Sequence, residues 1–370
     1  MKPDIMDQLA AARPEDLDPA DDPHRRQSQL NAAFAQPLDR RSTMPRAIKR
    51  AGIGFGVATG LAAVAAVAIL ATNTVPAAPP ARSTAVPHPA VVLSAQEVLL
   101  GAAQQSTKLA TSGRYWLTTT VIANATSVGN TPNLYVMMVK DRSGEWLART
   151  KGDDNWSSYV SRVGISPASP ADAAAWKRAG SPTTLTAHLE GRKDYKVTFT
   201  PGAPYISKQG KSGDAVRAIG ATNITINQML AMPTTAAALK AYLLNIFHKP
   251  GNSGSDMPTK ENEWLYGYAS SLLWYPVRPA TRVAAYQILA SLPGVRSLGT
   301  VTDLNGRSGP AVALTTKDAG GSRESRLIIS PTTGLPLASE IRQLSGGTFA
   351  PGTMISSELV EFAGWTNTHP

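Results

Sequence analysis

Residues 296–316, RSLGTVTDLNGRSGPAVALTT, decide how the folded part of this chain is built. Two runs suited to strands, 296–303 and 311–316, flank LNGRSG, and the pair Asn305-Gly306 suits a primed hairpin turn. Asp303 stands just before that pair and reads as a turn residue, not as a general base. Strands joined so closely run antiparallel. The same grammar continues: 323–329 follows KDAGGS, 335–343 follows SPTTG, and 356–362 closes the set. Successive strands with short turns form an antiparallel meander, which points to an α+β fold and away from a parallel α/β one.

Upstream, strand-like runs fall at 115–123, 134–140, 145–151 and 156–163. KDRSGEW separates the second from the third and carries a hairpin signal, with Gly144 free to take a positive φ. Helices alternate with these strands. SAQEVLLGAAQQSTKLA opens with Ser94 and, three residues on, Glu97, the spacing of a capping box. SPADAAAWKRAGSP starts a short helix near Pro170, and MPTTAAALKAYLLNIF places Leu239, Tyr242, Leu243, Ile246 and Phe247 at helical spacing. Two more helices, 264–275 and 279–292, end at Pro293-Gly294.

One strand breaks the usual alternation. In NLYVMMVK, Leu134, Val136 and Met138 lie on one face and Tyr135, Met137 and Val139 on the other, all apolar. A half-exposed antiparallel strand alternates apolar with polar. Two readings follow: a central strand covered on both faces, or a strand whose six residues line an apolar cavity with its methionines as an adaptable wall.

Ahead of the folded region, KRAGIGFGVATGLAAVAAVAILATNTVPAAPPAR spans residues 49–82. Residues 51–75 carry no charge and are long enough to cross a hydrocarbon core of about 30 Å. Some 50 residues precede them and the run is too long for a cleaved export signal, so it reads as an anchor. Arg40, Arg41, Arg46, Lys49 and Arg50 stand before the run and no basic residue follows until Arg82, which places the N-terminus in the cytoplasm. The expected layout is a cytoplasmic tail 1–50, largely disordered, a transmembrane helix 51–75, a Pro/Ala-rich spacer 76–92 and an extracytoplasmic α+β domain 93–366. Gly52, Gly56 and Gly60 share one helical face. They fit either a helix–helix contact, and thus a homodimer through the membrane, or the composition of an Ala/Gly-rich anchor.

Charge and composition narrow the functions. The formal net charge is +10; the first 50 residues hold nine basic and eight acidic groups, leaving a diffuse net +9 on the body. No basic run with interleaved aromatics suggests nucleic acid. The lipid bilayer is the expected surface partner. The chain has no cysteine, which excludes disulfides, thiolate metal sites and a cysteine nucleophile. Its five histidines, His24, His88, His188, His248 and His369, stand at no metal-ligand spacing. Neither a nucleophile elbow nor a phosphate-cradling loop occurs, so no catalytic, cofactor or metal residue is assigned. In the tail, Ile5 with Leu9 and Leu30 with Phe34 form short rows suited to folding against a protein partner.

The segment from RPATRVAAYQILASLPGVRSLG to PAVALTT, then RLIISPTTGLPLASE, with AAWKRAGSP and LAMPTTAAALKAYLL, resembles a family of actinobacterial single-pass membrane proteins of unassigned role. Members of that family are commonly encoded beside extracytoplasmic-function sigma factors. Pro293, Gly294, Asp303, Gly306 and Gly334 look like its turn architecture. Similar exported bodies resemble the half-barrel of Lol-type lipoprotein carriers and of accessory proteins for anti-sigma factors. The resemblance implies a curved, half-barrel-like antiparallel sheet with packed helices. It also implies a non-enzymatic sensing or binding domain, with a sigma factor or regulator as cytoplasmic partner. The alternative is an anchored carrier for a lipid or another apolar envelope ligand, with no signalling role.

Overall fold

The computed structural model describes residues 93–130, 132–188, 193–250, 252, 258–318 and 320–370. The tail 1–50, the span 51–75 and the spacer 76–92 lie outside the described residues, and Gly52, Gly56 and Gly60 with them. Among the described residues no helix is long and apolar enough to cross a membrane.

The described residues open with helix α1 (Ala95–Ser106), whose N-terminus is closed by the expected Ser94–Glu97 capping box. Three long strands follow, β1 (Tyr115–Asn130), β2 (Asn133–Ala148) and β3 (Asp154–Pro167). Next come α2 (Pro170–Arg178), the hairpin β4 (Thr184–His188) and β5 (Tyr195–Thr198), strand β6 (Tyr205–Lys211), and the hairpin β7 (Ala215–Ile219) and β8 (Thr222–Thr225). A helical run, α3 (Ile226–Leu230), α4 (Ala236–Phe247), α5 (Glu261–Leu272) and α6 (Pro279–Ser291), leads into β9 (Arg296–Thr302). The meander is completed by β10 (Ser308–Asp318), β11 (Gly321–Ile329), β12 (Pro336–Gly346) and β13 (Met354–Thr366).

The strands form a curved antiparallel sheet in the order β6-β3-β2-β1-β13-β12-β11-β10-β9, with β4–β5 added at the far end of β1 and β7–β8 standing apart. Together with the packed helices this is the α+β architecture expected from the turns. The last strand closes it: β13 lies between β1 and β12, pairing from Tyr115↔Thr366 to Asn124↔Ser356, and so joins the N-terminal strands to the meander.

Two local expectations are corrected. KDRSGEW makes no hairpin, because β2 runs unbroken through it and pairs with β1 from Tyr115↔Ala148 to Asn130↔Asn133. Its polar residues have partners on a sheet: Asp141 Oδ1 accepts from the Arg162 amide at 2.5 Å, and Arg142 donates to Glu361 at 2.8 Å. Gly144 serves close approach, since a Cβ there meets Ser158 Oγ at 2.6 Å and the Trp146 ring at 3.0 Å. Likewise β9 and β10 are joined by five residues, with Ser308 opposite Thr302, and of Asn305-Gly306 only the glycine takes a positive φ, 77°.

Asp303 builds that longer loop. Its Oδ1 accepts from the amides of Asn305 (2.8 Å) and Arg307 (3.0 Å), while Oδ2 accepts from Arg307 Nε (2.8 Å). Leu304, at the loop's tip, packs with two apolar clusters on this side of the sheet, one around Val121, Ile328 and Leu359, the other around Ala123, Met138 and Met354. On the opposite side the helices bury the main core. Trp116, Leu147, Val312, Leu327 and Val360 from the sheet meet Leu99 of α1, Leu243 of α4, Trp264 of α5 and Leu289 of α6. Each such side chain contributes about 1.5–3 kcal/mol by leaving water. Helix α6 is the hub of the helical layer, packed on α1, α4 and α5. Tyr286 on α6 donates its hydroxyl to the Gly334 carbonyl and so ties the hub to the turn before β12.

Candidate functional site

The helical layer leaves part of its side of the sheet open, and there the strands turn polar. On β1 the face that begins with Trp116 continues as Thr118, Thr120 and Ile122. The register sets Glu145 opposite Thr118 and Ser143 opposite Thr120 on β2, and Glu358 of β13 opposite Ile122. These six residues form one wall of a cavity of about 190 Å³. Arg217 of β7 closes its side, and Ser271, Trp274 and Tyr275 at the end of α5 form its roof.

The roof is fixed from two directions. The Trp116 indole N–H is shared between Thr118 Oγ1 and the Trp274 carbonyl, each at 3.1 Å. Arg282 of α6, 2 % exposed, donates from Nε to the Leu273 carbonyl (2.8 Å) and from Nη2 to that of Tyr275 (3.1 Å). A cation at the C-terminus of α5 also opposes the negative end of the helix dipole. Burial pulls the Arg282 pKa down to about 10.

Arg217 is committed to one carboxylate. Its Nη1 donates to Glu145 Oε1 at 2.6 Å, its Nη2 to Glu145 Oε2, and its guanidinium carbon lies 5.1 Å from the Tyr275 ring centre. Burial works against the Arg217 charge, but the hydrogen bonds and charge of Glu145 outweigh it and raise the pKa. Glu358 is left over. Among the described residues no hydrogen bond or ion pair is made by its carboxyl. Burial raises its pKa; the Arg217 charge pulls it back, and the Glu145 charge pushes it further up. With both Arg217 terminal nitrogens on Glu145, the Glu358 carboxyl has, among the described residues, no cation in direct contact. Thr120 and Ser143 share a hydroxyl contact at 3.0 Å beside it.

None of the six residues singled out on β2 lines this cleft. Tyr135 and Met137 are buried with Val128, Leu185 and Ala187, where α2 and the β4–β5 hairpin cover them. Met138 sits on the other face with Ala123 and Met354, and Leu134 is 46 % exposed. Val136 and Val139 are half-buried, and the Val136 amide donates to Asp172 Oδ1 of α2 at 2.8 Å. Glu145, Arg217 and Glu358 escape a sequence reading, because their one signal is polar residues on a strand face that also carries Trp116 and Leu147. Among the described residues no group of three His, Cys, Asp or Glu stands ready to hold a metal ion.

No protein-family model matches the chain, and no curated protein matches it. Among solved structures it is similar to a domain described as an outer membrane lipoprotein-sorting protein from Vibrio parahaemolyticus. That likeness has 10 % identity over 73 % of this chain and 92 % of that one, with a TM-score of 0.18. It is also similar to the dehydratase domain from the CurK module of curacin polyketide synthase, at 12 % identity over 72 % of this chain and 80 % of that one, with a TM-score of 0.12. At these TM-scores neither likeness carries an argument about function.

Proposed function

We propose that this chain is a non-enzymatic binding protein of the cell envelope. In this reading an extracytoplasmic domain is held at the membrane by residues 51–75, with the N-terminal tail in the cytoplasm. The observation that carries the binding reading is the cleft between β1, β2, β13 and the end of α5, a roofed space in which the Glu358 carboxyl has no hydrogen-bond or ion-pair partner among the described residues. Polar groups left unpaired at such a site are what a ligand completes. The membrane placement draws on the uncharged run 51–75 and on the basic residues stacked before it. A sigma factor or its regulator as partner of the tail draws on the family resemblance alone.

The second reading, an anchored lipid receptor without a signalling role, uses the same cleft differently. A cavity of about 190 Å³ is below the roughly 300–1,000 Å³ of sites that enclose whole drug-sized ligands. It has room for a headgroup and not for an acyl chain.

The absence of cysteine makes topology directly testable. Thr107→Cys should react with a membrane-impermeant maleimide on intact cells and Ser28→Cys should not; the opposite pattern overturns the placement. For binding, amide exchange is followed in residues 118–122 and 271–275 of the full chain with a low-molecular-weight envelope extract. Slowed exchange supports the reading, and unchanged exchange with every extract fraction overturns it.

A further inference from the structure

The binding-domain reading leaves the ligand's chemistry open, and the charges of the cleft narrow it. Three charged side chains meet there, Glu145 from β2, Arg217 from β7 and Glu358 from β13, with the Tyr275 ring above them. Both Arg217 terminal nitrogens engage Glu145. An anionic ligand would have to displace Glu145 from that fork and then face Glu358, so like charge excludes it. A hard metal ion wants several oxygen ligands of its own, and one free carboxylate does not supply them. A neutral ligand would shut the half-buried carboxylate off from water without compensating it, which is the costly arrangement.

We infer that the cleft is a seat for one alkylammonium group, with the Glu358 carboxylate as its counter-ion; this rests on the binding-domain reading above. An ammonium brings three donors. Glu358 accepts one or two of them, and the Thr120–Ser143 hydroxyl pair keeps acceptor capacity for another. The rings of Trp274 and Tyr275 give the alkyl part an apolar roof. The ammonium can belong to a free amine or to a lipid headgroup, and the two sources are separable by experiment.

The test uses the full chain in nanodiscs of phosphatidylglycerol, titrated with ethanolamine and, as the neutral counterpart, ethylene glycol. Binding is followed by calorimetry and by tryptophan fluorescence. Ethanolamine should bind saturably and ethylene glycol should not. Glu358→Gln should weaken ethanolamine by about tenfold or more, the scale of a lost charge-assisted contact. Thr120→Val should weaken it several-fold, and thermal melts should show both variants folded. Repeating the titration in phosphatidylethanolamine nanodiscs separates the sources. Loss of the ethanolamine signal there assigns the seat to a headgroup, and an unchanged titration assigns it to free amines. Equal binding of both compounds, with Glu358→Gln indifferent, overturns the ammonium assignment. Silence toward ethanolamine overturns it as well; if the envelope extract still slows exchange at the cleft, the binding-domain reading stands without it.

Discussion

Arg282 donates to the carbonyl of Tyr275 at 3.1 Å, and by this contact the roof of the cleft hangs from the hub helix α6. The guanidinium also reaches the Leu273 carbonyl and lies 5.6 Å from the ring centre of Trp116. No carboxylate is needed, because two helix-end carbonyls and an aromatic face stand in for one. Arg282→Met keeps the apolar stem but leaves both carbonyls unpaired. It should destabilise the fold by about 2–4 kcal/mol, the scale of one to two buried unsatisfied groups. Arg282→Lys should recover only part of this, since an ammonium lacks the planar fork. Urea denaturation measures both, and equal stability of Met and Arg at this position would refute the account.

Arg307 does for the opposite side of the sheet what Arg282 does for the helical side. Held by Asp303, whose side chain is fully buried, it donates from Nη1 to the Val360 carbonyl and from Nη2 to that of Leu337, both at 2.7 Å. Leu337 and Val360 lie just where β12 and β13 part, beyond their last paired residues Ala338 and Leu359. The loop therefore caps a ladder end that would otherwise leave carbonyls bare. Asp303→Ala removes both the buried carboxylate that holds the half-buried Arg307 and the acceptor of two turn amides, and should cost about 2–3 kcal/mol. Asp303→Asn keeps the turn acceptor and should cost less. A denaturation series with Asn equal to the parent would remove the ion pair from the explanation, and one with Ala equal to Asn would remove the turn acceptor.

The turn before β12 sets a steric limit. Gly334 has φ +66°, and a Cβ on it would stand 2.2 Å from the Ala102 carbonyl oxygen of α1. Gly334→Ala therefore adds left-handed strain, about 1–2 kcal/mol, to a clash with backbone that cannot swing aside. It should lower the melting temperature by well over the roughly 2 °C that about 1 kcal/mol of strain alone would give a chain of this size. A shift smaller than that would mean α1 can withdraw freely.

The caps, stops and turn residues were legible in the sequence; Arg282, Arg307 and the cleft were not, for one reason of range. The capping box at Ser94, the stop at Pro293-Gly294 and the turn role of Asp303 each depend on neighbours within a few residues. Glu145, Arg217 and Glu358 come from three distant segments: the registers Thr118↔Glu145 and Ile122↔Glu358 set the two acids beside β1, and Arg217 arrives from the separate β7–β8 hairpin. KDRSGEW misled by the same route. Its charged residues look like a turn when their partners Arg162, Glu361 and Arg217 are far away in sequence. The six apolar positions of NLYVMMVK do divide between two faces, but what covers each face comes from α2, β4 and β13, which no local pattern announces.

Glu358 should weaken the empty fold above the carboxylate range, and its sign is opposite to that of a paired acid. Burial lifts its pKa above the ordinary 4.5, Arg217 offsets part of that, and Glu145 adds to it. No other charged residue joins Glu145 and Arg217 in the cavity lining. A carboxyl raised in the folded state binds its proton more tightly there than in the unfolded chain. Folding then loses stability as pH rises from the unfolded value through the folded one. Glu358→Gln removes that loss. In the absence of ligand it should be more stable than the parent at neutral pH, by up to about 1 kcal/mol, the usual scale for relieving a functional site. Below about pH 4, where both side chains are neutral, the difference should vanish. Urea midpoints of both proteins across this range decide it. A variant less stable than the parent at neutral pH would mean that the Glu358 carboxylate already has its counter-ion within the fold.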